Sequence, residues 1–399
     1  MPVKLSVPVV GFAGFVLCQF GPVAAAWAQQ AETKPEAETA PASGAVTMAG
    51  PLVANPNPFS FAPSPFGTVY VTGVVSGLAL VQSDPASADK TARFDLSNGM
   101  VILQKTDGLF QFLVQAGGYS FPSVGAPYVS TQRAVGDFYG PVPLAYAKIA
   151  PTGEFSVLAG KLTSPLGSEY TFTFQNMNIE RGLLWNQQPS ISRGIQANYT
   201  IGPLALSLSL TDGYYSNRYN WLTGSATYTL DKSNSLALAA GANAGSTAKS
   251  TPVTPLFQNN SQVVDLMYTY SAAPWALSPY LQFTHVPASG KLGIPHDAST
   301  YSGAVLASYT FNDNVSLAGR AEYIAATGSV ANGAPNLLYG PGSSAWSVTL
   351  TPTYQEGILF VREEVSFVQA NSITPGLAFG RGGNTRSQAR VMVEGGVLF

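Results

Sequence analysis

From Gly67 to the C-terminus, apolar and polar residues alternate along most of the chain. In Leu204–Leu210 every second residue is leucine, and in Trp346–Thr351 apolar side chains alternate with serine and threonine. Successive side chains of a β-strand point to opposite faces of a sheet, so a period of two predicts strands with one apolar and one polar face. The polar face is mostly Ser, Thr, Asn and Gln rather than Lys and Glu.

This alternation predicts about sixteen strands, separated by connections of two kinds. Short turns rich in Gly, Asn, Asp or Pro occur near 107, 152, 202, 232, 273, 313 and 356, and such residues suit tight hairpins. Between them lie longer connections, near 83–90, 121–140, 164–189, 213–218, 245–260, 287–299, 326–343 and 370–385. The predicted strands are 68–82, 91–105, 108–120, 142–150, 154–163, 190–200, 203–212, 219–230, 234–244, 261–271, 275–286, 300–311, 314–325, 344–354, 357–369 and 386–399.

Short turns at one end of the strands and long loops at the other are typical of bacterial outer-membrane barrels. We therefore predict an all-β fold over residues 67–399, a transmembrane antiparallel up-and-down β-barrel of about 16 strands. Barrels of 14 or 18 strands are the alternatives. A soluble β-sandwich would also alternate along its strands, but it has no reason to alternate short and long connections.

The composition favours the membrane interpretation. Charged residues make up 10% of the chain, whereas an ordinary globular protein has about 25%. Beyond the first 30 residues, no apolar run approaches the roughly 20 residues of a transmembrane helix. A net charge of −2 gives nucleic acid no basis for binding, so we expect no nucleic-acid partner.

The first 66 residues do not follow the alternation. Lys4 precedes an apolar run from Val7 to Trp27 that ends in small residues, which predicts a cleaved secretory signal peptide over residues 1–28. A membrane anchor is the alternative. Cys18, the only cysteine, lies in this segment, so the mature chain is expected to have no disulfide. Residues 29–66 are rich in Ala, Pro, Glu and Thr and are predicted to form a flexible periplasmic linker.

Two segments resemble a known family. FQNMNIERGLLWNQQPSISRGIQANYT and DGYYSNRYNWLTG resemble the β-barrel porin type 2 (OmpL-like) family of Gram-negative outer-membrane proteins. The resemblance implies an outer-membrane barrel and a pore, and it carries no catalytic residue. It also implies that the terminal strand, which ends in Phe399, is recognised by the barrel assembly machinery. By analogy with porins of similar size, we expect a homotrimer.

A barrel of about sixteen strands is wide enough to hold a water-filled channel. Because Arg or Lys facing lipid at the bilayer midplane costs roughly 2–4 kcal/mol, charged residues of the strands are expected to face the lumen. Glu363 shares the parity of Val361 and Val365 and breaks this pattern; a position near the membrane interface and a bulge are the alternatives. The charged residues predicted for the lumen wall are Asp265, Arg320, Glu322, Arg362, Glu364, Arg390 and Glu394.

The connection over 163–189 is the third long loop, and in general porins the third loop folds inward and narrows the pore. Glu180 and Arg181 are predicted to set opposite charges across such a constriction, which would filter ions and orient polar solutes. Arg193 and Asp212 are predicted to face it from adjacent strand ends. The alternative is a loop that simply plugs the barrel, with Phe172 and Trp185 in a small packed core.

We therefore predict an outer-membrane porin that passes small hydrophilic solutes or ions by passive diffusion, in contact with outer-membrane lipid. A non-conducting adhesin or structural barrel is the alternative. No cofactor is expected. His285 and His296 are the only histidines, and no third metal ligand accompanies them by spacing, so no metal site is predicted. The chain has no G-x-S-x-G motif beside a histidine and an acid, and we predict that it is not an enzyme.

Overall fold

The computed structural model describes residue 48 and residues 50–63, 67–87 and 89–399. The predicted signal peptide lies outside the described residues. Two short α-helices (α1, Thr131–Arg133; α2, Leu256–Asn259) and a π-helical turn (Ala134–Phe138) lie in the connections, as do 3-10 turns at Thr173–Gln175, Leu184–Gln187 and Gly290–Leu292. The strands are β1 (Phe59–Phe61), β2 (Val69–Gln82), β3 (Ala92–Lys105), β4 (Phe110–Tyr119), β5 (Leu144–Ile149), β6 (Phe155–Thr163), β7 (Ile191–Ile201), β8 (Leu204–Thr211), β9 (Trp221–Thr229), β10 (Asn234–Asn243), β11 (Gln262–Ala272), β12 (Trp275–Val286), β13 (Ala298–Thr310), β14 (Val315–Ala326), β15 (Ser344–Glu356), β16 (Leu359–Asn371) and β17 (Ser387–Leu398).

Strands β2 to β17 form a closed antiparallel barrel of sixteen strands. Each strand pairs with the next along the chain, and β17 closes the ring by pairing with β2 from Arg390↔Gln82 to Leu398↔Val74. Phe399 extends this closure, since its N–H and C=O each bond to the backbone of Gly73, at 2.9 and 2.7 Å. The predicted fold class is confirmed, and all sixteen predicted strands match the observed ones to within two residues at each end.

The barrel has an apolar outside and a polar inside. Along β15, Trp346, Val348 and Leu350 are exposed, whereas the alternating Ser347 and Thr349 are buried. A soluble protein would bury the apolar face, so the inverted arrangement fits a barrel surrounded by lipid. At the short-turn end, aromatic rings cluster on the outer surface, among them the exposed Trp275 and the half-buried Tyr309 with ring centroids 4.7 Å apart. Such rings are typical of the girdle at a membrane interface.

Seven short turns join the strands at one end of the barrel, which we call the short-turn end. The long loops lie at the other end, the long-loop end, and the third of them runs from residue 164 to residue 190 between β6 and β7. This loop is called L3 below. No helix among the described residues is both long and apolar enough to cross a membrane.

The structure differs from the expected flexible linker at residues 50–61. Phe59–Phe61 forms β1, which pairs with β2 from Phe59↔Val71 to Phe61↔Val69. Leu52 is only 2% exposed and packs among side chains of the barrel interior. The backbone of Val53 makes two 2.8 Å hydrogen bonds with the side-chain amide of Gln355. The Pro-rich composition concealed this order, and part of it depends on Gln355, 302 positions from Val53.

Candidate functional site

L3 lies inside the barrel rather than over its rim. Residues 171–184 are all buried, and Glu180 and Arg181 have no exposed surface. Loops normally run over a surface because their backbone polar groups need partners. L3 finds these partners on charged side chains that point inward from the wall strands. The site therefore consists of L3 and the wall residues that hold it.

Glu364 of β16 holds the middle of L3 through the backbone. Its carboxylate accepts hydrogen bonds from the N–H groups of Ile179 and Glu180, at 2.5 and 2.9 Å. Thr351 of β15 donates a third bond to the same carboxylate, at 2.7 Å. A carboxylate that accepts several bonds in a buried site fixes its donors in place, because losing any bond leaves a buried charge poorly solvated.

Glu180 in turn reaches the last strand of the barrel. Its carboxylate lies 2.6 Å from Nη1 of Arg390 in β17 and accepts a 2.5 Å bond from Ser366 of β16. Arg390 also donates to Oε1 of Gln82, at 2.8 Å, and to the carbonyl oxygen of Ser123, at 2.5 Å. This single arginine thus joins L3, the second long loop and the strand pair that closes the barrel.

A second charged group holds both limbs of L3 against β14. Arg320 lies 2.7 Å from Glu169 in the first limb and donates a 2.6 Å bond to the carbonyl oxygen of Glu180. The Glu169 carboxylate accepts bonds from the Gly182 N–H at 2.9 and 3.1 Å. Glu322, also on β14, accepts a 3.1 Å bond from the N–H of Leu183. All these side chains are buried, so the group is fully inside the barrel.

Arg362 of β16 and Glu394 of β17 form a third group. Their guanidinium and carboxylate are 2.5 Å apart, and Arg362 also donates to the carbonyl oxygens of Thr173 and Asn176, at 2.9 and 3.0 Å. The Thr173 hydroxyl donates a 2.6 Å bond to Glu394. This group fixes the short 3-10 turn at Thr173–Gln175 to the wall.

A β-bulge completes the surroundings of Glu394. Ser76 pairs with Asn98 and Gly77 with Leu96, so Ser97 is an extra residue in β3. Both Ser97 and Asn98 are fully buried, and Asn98 donates to Glu394 at 3.2 Å and to Thr173 at 2.6 Å. A bulge turns two neighbouring side chains to the same side of a sheet. Strict alternation would have sent one of the two outward, so the sequence pattern could not reveal this contact.

Arg181 differs from the other interior arginines because no carboxylate pairs with it among the described residues. Its guanidinium carbon lies 5.5 Å from the ring centre of Phe121 and 5.3 Å from that of Trp185. Its one hydrogen bond is long, 3.5 Å to the carbonyl oxygen of Ser120. The Nε and Nη1 atoms are buried without a hydrogen-bond partner in the described part of the chain. Stacking on aromatic faces stabilises a guanidinium but leaves its N–H donors free.

Asp265 of β11 holds the start of L3 from a different part of the wall. It is buried and accepts a 2.9 Å bond from the Gly167 N–H. Nearby, Gln282 of β12 donates a 2.8 Å bond to the side chain of Gln188, near the end of L3. These are neutral or single-charge contacts. The three charged groups above lie on β14, β16 and β17, so the charged contacts of L3 come from one side of the barrel. Apolar side chains of L3, among them Leu166 and Leu183, instead share a buried cluster with residues of β10 to β13.

The predicted position of Arg193 and Asp212 needs correction. Arg193 shares the parity of Ile195, which is 53% exposed, and therefore lies on the outer side of β7 at its long-loop end. Its guanidinium is 2.7 Å from Asp212 and stacks 4.2 Å from the ring centre of Tyr215. The two residues pair with each other and form no contact with Glu180 or Arg181. Their own strand parity places them away from the lumen.

Glu363 lies on the lipid-facing side of β16 in regular register, opposite Val393, with no bulge at that point. Of the two alternatives for this residue, the bulge is therefore wrong.

Among the described residues, no group of three His, Cys, Asp or Glu side chains could hold a metal ion. His285 Nδ1 lies 2.9 Å from the Ser299 hydroxyl, and the imidazole stacks beside the Phe283 ring with ring centroids 6.4 Å apart.

The sequence matches the family described as putative beta-barrel porin-2, OmpL-like, over residues 68–399. The chain belongs to this family. The porin is accordingly an outer-membrane β-barrel of a Gram-negative bacterium, with its short-turn end in the periplasm and its long-loop end outside the cell.

Solved outer-membrane barrels share the fold of this porin at low sequence identity. An anion-selective porin from Comamonas acidovorans is 13% identical with a TM-score of 0.56, and 83% of this chain and 99% of that chain are covered. The channel DcaP of Acinetobacter baumannii is 11% identical with a TM-score of 0.57, at 85% and 99% coverage. OmpT of Vibrio cholerae is 12% identical with a TM-score of 0.55, at 84% and 99% coverage. A comparison with curated proteins gave no match.

Proposed function

We propose that this porin passes small hydrophilic solutes by passive diffusion, and that L3 forms the narrow part of the path. The observation that carries the proposal is the asymmetric position of L3. Six of the seven charged residues predicted for the wall lie on β14, β16 and β17, and each contacts L3 or a residue that contacts it. The charged contacts of the loop therefore lie on that side, and we place the solute path along the opposing part of the wall, where strands β9 to β13 border a cavity beside L3.

A cavity of about 540 Å³ separates L3 from this second wall towards the periplasmic end. Its wall side is rich in hydroxyl groups, and its L3 side runs from Ser164 to Tyr170. Hydroxyl groups both donate and accept hydrogen bonds, so they can replace water around a sugar or an amino acid without selecting one charge. The hydroxyl residues of the wall are Thr227, Ser235, Thr269, Ser271, Ser278 and Ser308.

In this proposal the charged wall residues act as anchors and Glu180 is part of the anchor, whereas Arg181 is a buried cation of L3 without a carboxylate partner in the described part of the chain. The test is single-channel conductance in planar bilayers, compared between the wild type and a variant in which residues 170–183 are replaced by a short Gly-Ser linker. We expect discrete channels in the wild type and larger, less solute-dependent channels in the variant. Absence of channels in both proteins would overturn the proposal and favour a non-conducting surface barrel.

Liposome swelling with sugars of increasing size measures the same narrow part independently. We expect the permeation rate to fall with solute size in the wild type and to fall less steeply after L3 is shortened. Equal size dependence in the two proteins would mean that L3 does not set the width of the path.

A further inference from the structure

We infer that the extracellular mouth contains a binding site for small organic anions with two or more negative charges, formed by Arg218, Lys249 and Lys291. The three side chains line one open basin of about 1040 Å³. They come from three successive long loops, between β8 and β9, β10 and β11, and β12 and β13. These loops rise from the same wall along which the proposed solute path runs. The inference therefore extends the proposed function by naming a solute class, although binding itself does not require conduction.

The basin is lined by positive and neutral side chains. None of the three cations has a carboxylate within ion-pair distance in the described part of the chain, and all three are exposed. Asp212 lies below the floor, but its side chain has no exposed surface and is paired with Arg193. Three like charges around one basin repel each other, and an anion with several charges relieves this repulsion. The neutral polar residues of the lining are Ser216, Asn217, Asn220, Ser246 and Thr247.

Hydrogen bonds between the loops hold the basin in shape. The Ala244 N–H donates a 2.7 Å bond to the Asn220 carbonyl oxygen, which ties the fifth long loop to the fourth. The Lys249 ammonium reaches the carbonyl oxygen of Tyr215 at 3.5 Å. Arg218 is placed by a 3.1 Å bond from its N–H to the Ser216 hydroxyl, which itself donates to the carbonyl oxygen of Asp212. A site whose loops are already ordered loses less entropy when it binds a ligand.

The chemistry of the lining favours carboxylates and phosphates over neutral solutes. A guanidinium can donate two parallel hydrogen bonds to either group, and an ammonium acts as a compact point charge. The amides of Asn217 and Asn220 offer further donors at the same basin. Exposed charges are screened by salt, so binding should weaken as ionic strength rises. A positive basin at the mouth would also raise the local concentration of such anions above the channel.

Citrate and inorganic pyrophosphate serve as probes, and isothermal titration calorimetry of the full-length protein in detergent at low ionic strength measures their binding. The test variant is Arg218→Gln/Lys249→Gln/Lys291→Gln. The control variant, Arg133→Gln/Arg381→Gln/Arg386→Gln, removes the same charge from other exposed loop positions. We expect at least about tenfold weaker binding of both probes in the test variant, and a change below about twofold in the control. Heat-modifiable mobility on gels confirms that each variant is folded.

Two results would overturn the site: no binding of either probe to the wild type, or equal weakening in the two variants, which would indicate an effect of total charge. Weakening with citrate alone, or with pyrophosphate alone, would narrow the site to carboxylates or to phosphates. Planar bilayers separate this inference from the proposed function. Binding without channels would support the anion site and contradict the proposed pore. Channels in a protein that binds neither probe would support the pore and contradict the anion site.

Discussion

Glu180 and Arg390 form a buried ion pair, with 2.6 Å between Oε1 and Nη1, that joins the middle of L3 to the last strand of the barrel. The two residues are 210 positions apart, so the pair joins distant parts of the chain in the folded barrel. Because β17 also pairs with β2, the same strand closes the wall and fixes the loop. The position of L3 and the closure of the barrel are therefore coupled.

Glu180→Gln should destabilise the protein substantially, because it leaves the Arg390 cation buried without its carboxylate. We expect the free energy of unfolding to fall by about 3–5 kcal/mol. The double variant Glu180→Gln/Arg390→Gln should lose less than the sum of the two single variants, since it removes both charges. Urea unfolding in lipid vesicles, followed by tryptophan fluorescence, measures these differences.

An exposed ion pair provides the control. Arg133 and Asp137 are 3.5 Å apart with both side chains about half exposed, so Asp137→Asn should change the free energy of unfolding by less than about 1 kcal/mol. If Glu180→Gln has an effect as small as Asp137→Asn, the buried pair does not anchor L3.

Gly182→Ala should displace L3 without removing any charge. A Cβ atom at this position would lie 1.9 Å from Oε1 of Glu322, on the wall, so the loop or the wall must move. Overpacking of this kind costs about 1–3 kcal/mol. Gly153→Ala is the matched control because nothing lies within 4 Å of a Cβ atom there. We expect faster protease cleavage within L3 for Gly182→Ala in vesicles. Cleavage at the wild-type rate would show that the loop tolerates the extra methyl group.

Neighbouring residues on opposite faces of β16 give a direct test of the barrel's orientation. Glu364 is buried and holds two N–H groups of L3, whereas Glu363 faces the lipid. Glu364→Leu should therefore destabilise the protein by about 1–3 kcal/mol or more, since the donors lose their acceptor. Glu363→Leu should leave stability unchanged or raise it, because it removes a charge from the lipid face. Urea unfolding in vesicles compares the two, and the opposite order would contradict the assignment of faces.

The strand pattern was predictable from sequence because side-chain parity is a local property. The alternation of neighbouring residues places Arg320 on the polar inner face of its strand and Val397 on the apolar outer face. No information from distant parts of the chain is needed for either assignment. The same rule would have placed Arg193 correctly, since it shares the parity of Ile195. Arg193 and Asp212 were predicted to face the constriction because they are charged residues at strand ends. That prediction did not take their strand parity into account. Parity was the better guide.

Other features depend on contacts that no local pattern carries. Ser97 and Asn98 both face inward because β3 contains a bulge, and a bulge is set by pairing with β2. Glu169 was visible as a charge in L3, but its partner Arg320 lies 151 residues away. The order at Leu52 depends on side chains from both ends of the chain. The wall residues and the loop were predictable from the sequence, whereas the contacts between them are defined only by the folded barrel.

Arg181→Gln should alter ion selectivity more than any substitution at Arg193. Arg181 is a buried cation with two unpaired donor atoms, whereas Arg193 is paired with Asp212 on the outer side. Under the proposed function, we expect the reversal potential in a salt gradient to shift toward cations for Arg181→Gln. Arg193→Gln is the matched control and should leave it unchanged. A shift of the same size in Arg193→Gln would contradict the outward placement of that residue.

The segment around Leu52 should restrict the periplasmic end of the channel. Leu52 is 2% exposed and lies in the same apolar cluster as Phe172 and Phe174 of L3, while the neighbouring Val53 is 64% exposed. Burying a leucine side chain stabilises a contact by about 1.5–3 kcal/mol, so Leu52→Ser should release the segment from the cluster. Val53→Ser is the control, because its backbone bonds to Gln355 do not depend on the side chain.

Planar-bilayer recordings distinguish the two variants. We expect Leu52→Ser to have a higher mean conductance than the wild type, or more frequent transitions to a larger open level, because the segment then leaves the lumen part of the time. Val53→Ser should match the wild type. Deletion of residues 48–57 should reproduce the Leu52→Ser behaviour at its upper limit, since it also removes Gly50, which packs against the backbone of Asn176 in L3. Unchanged conductance in the deletion variant would mean that the segment lies beside the solute path and does not narrow it.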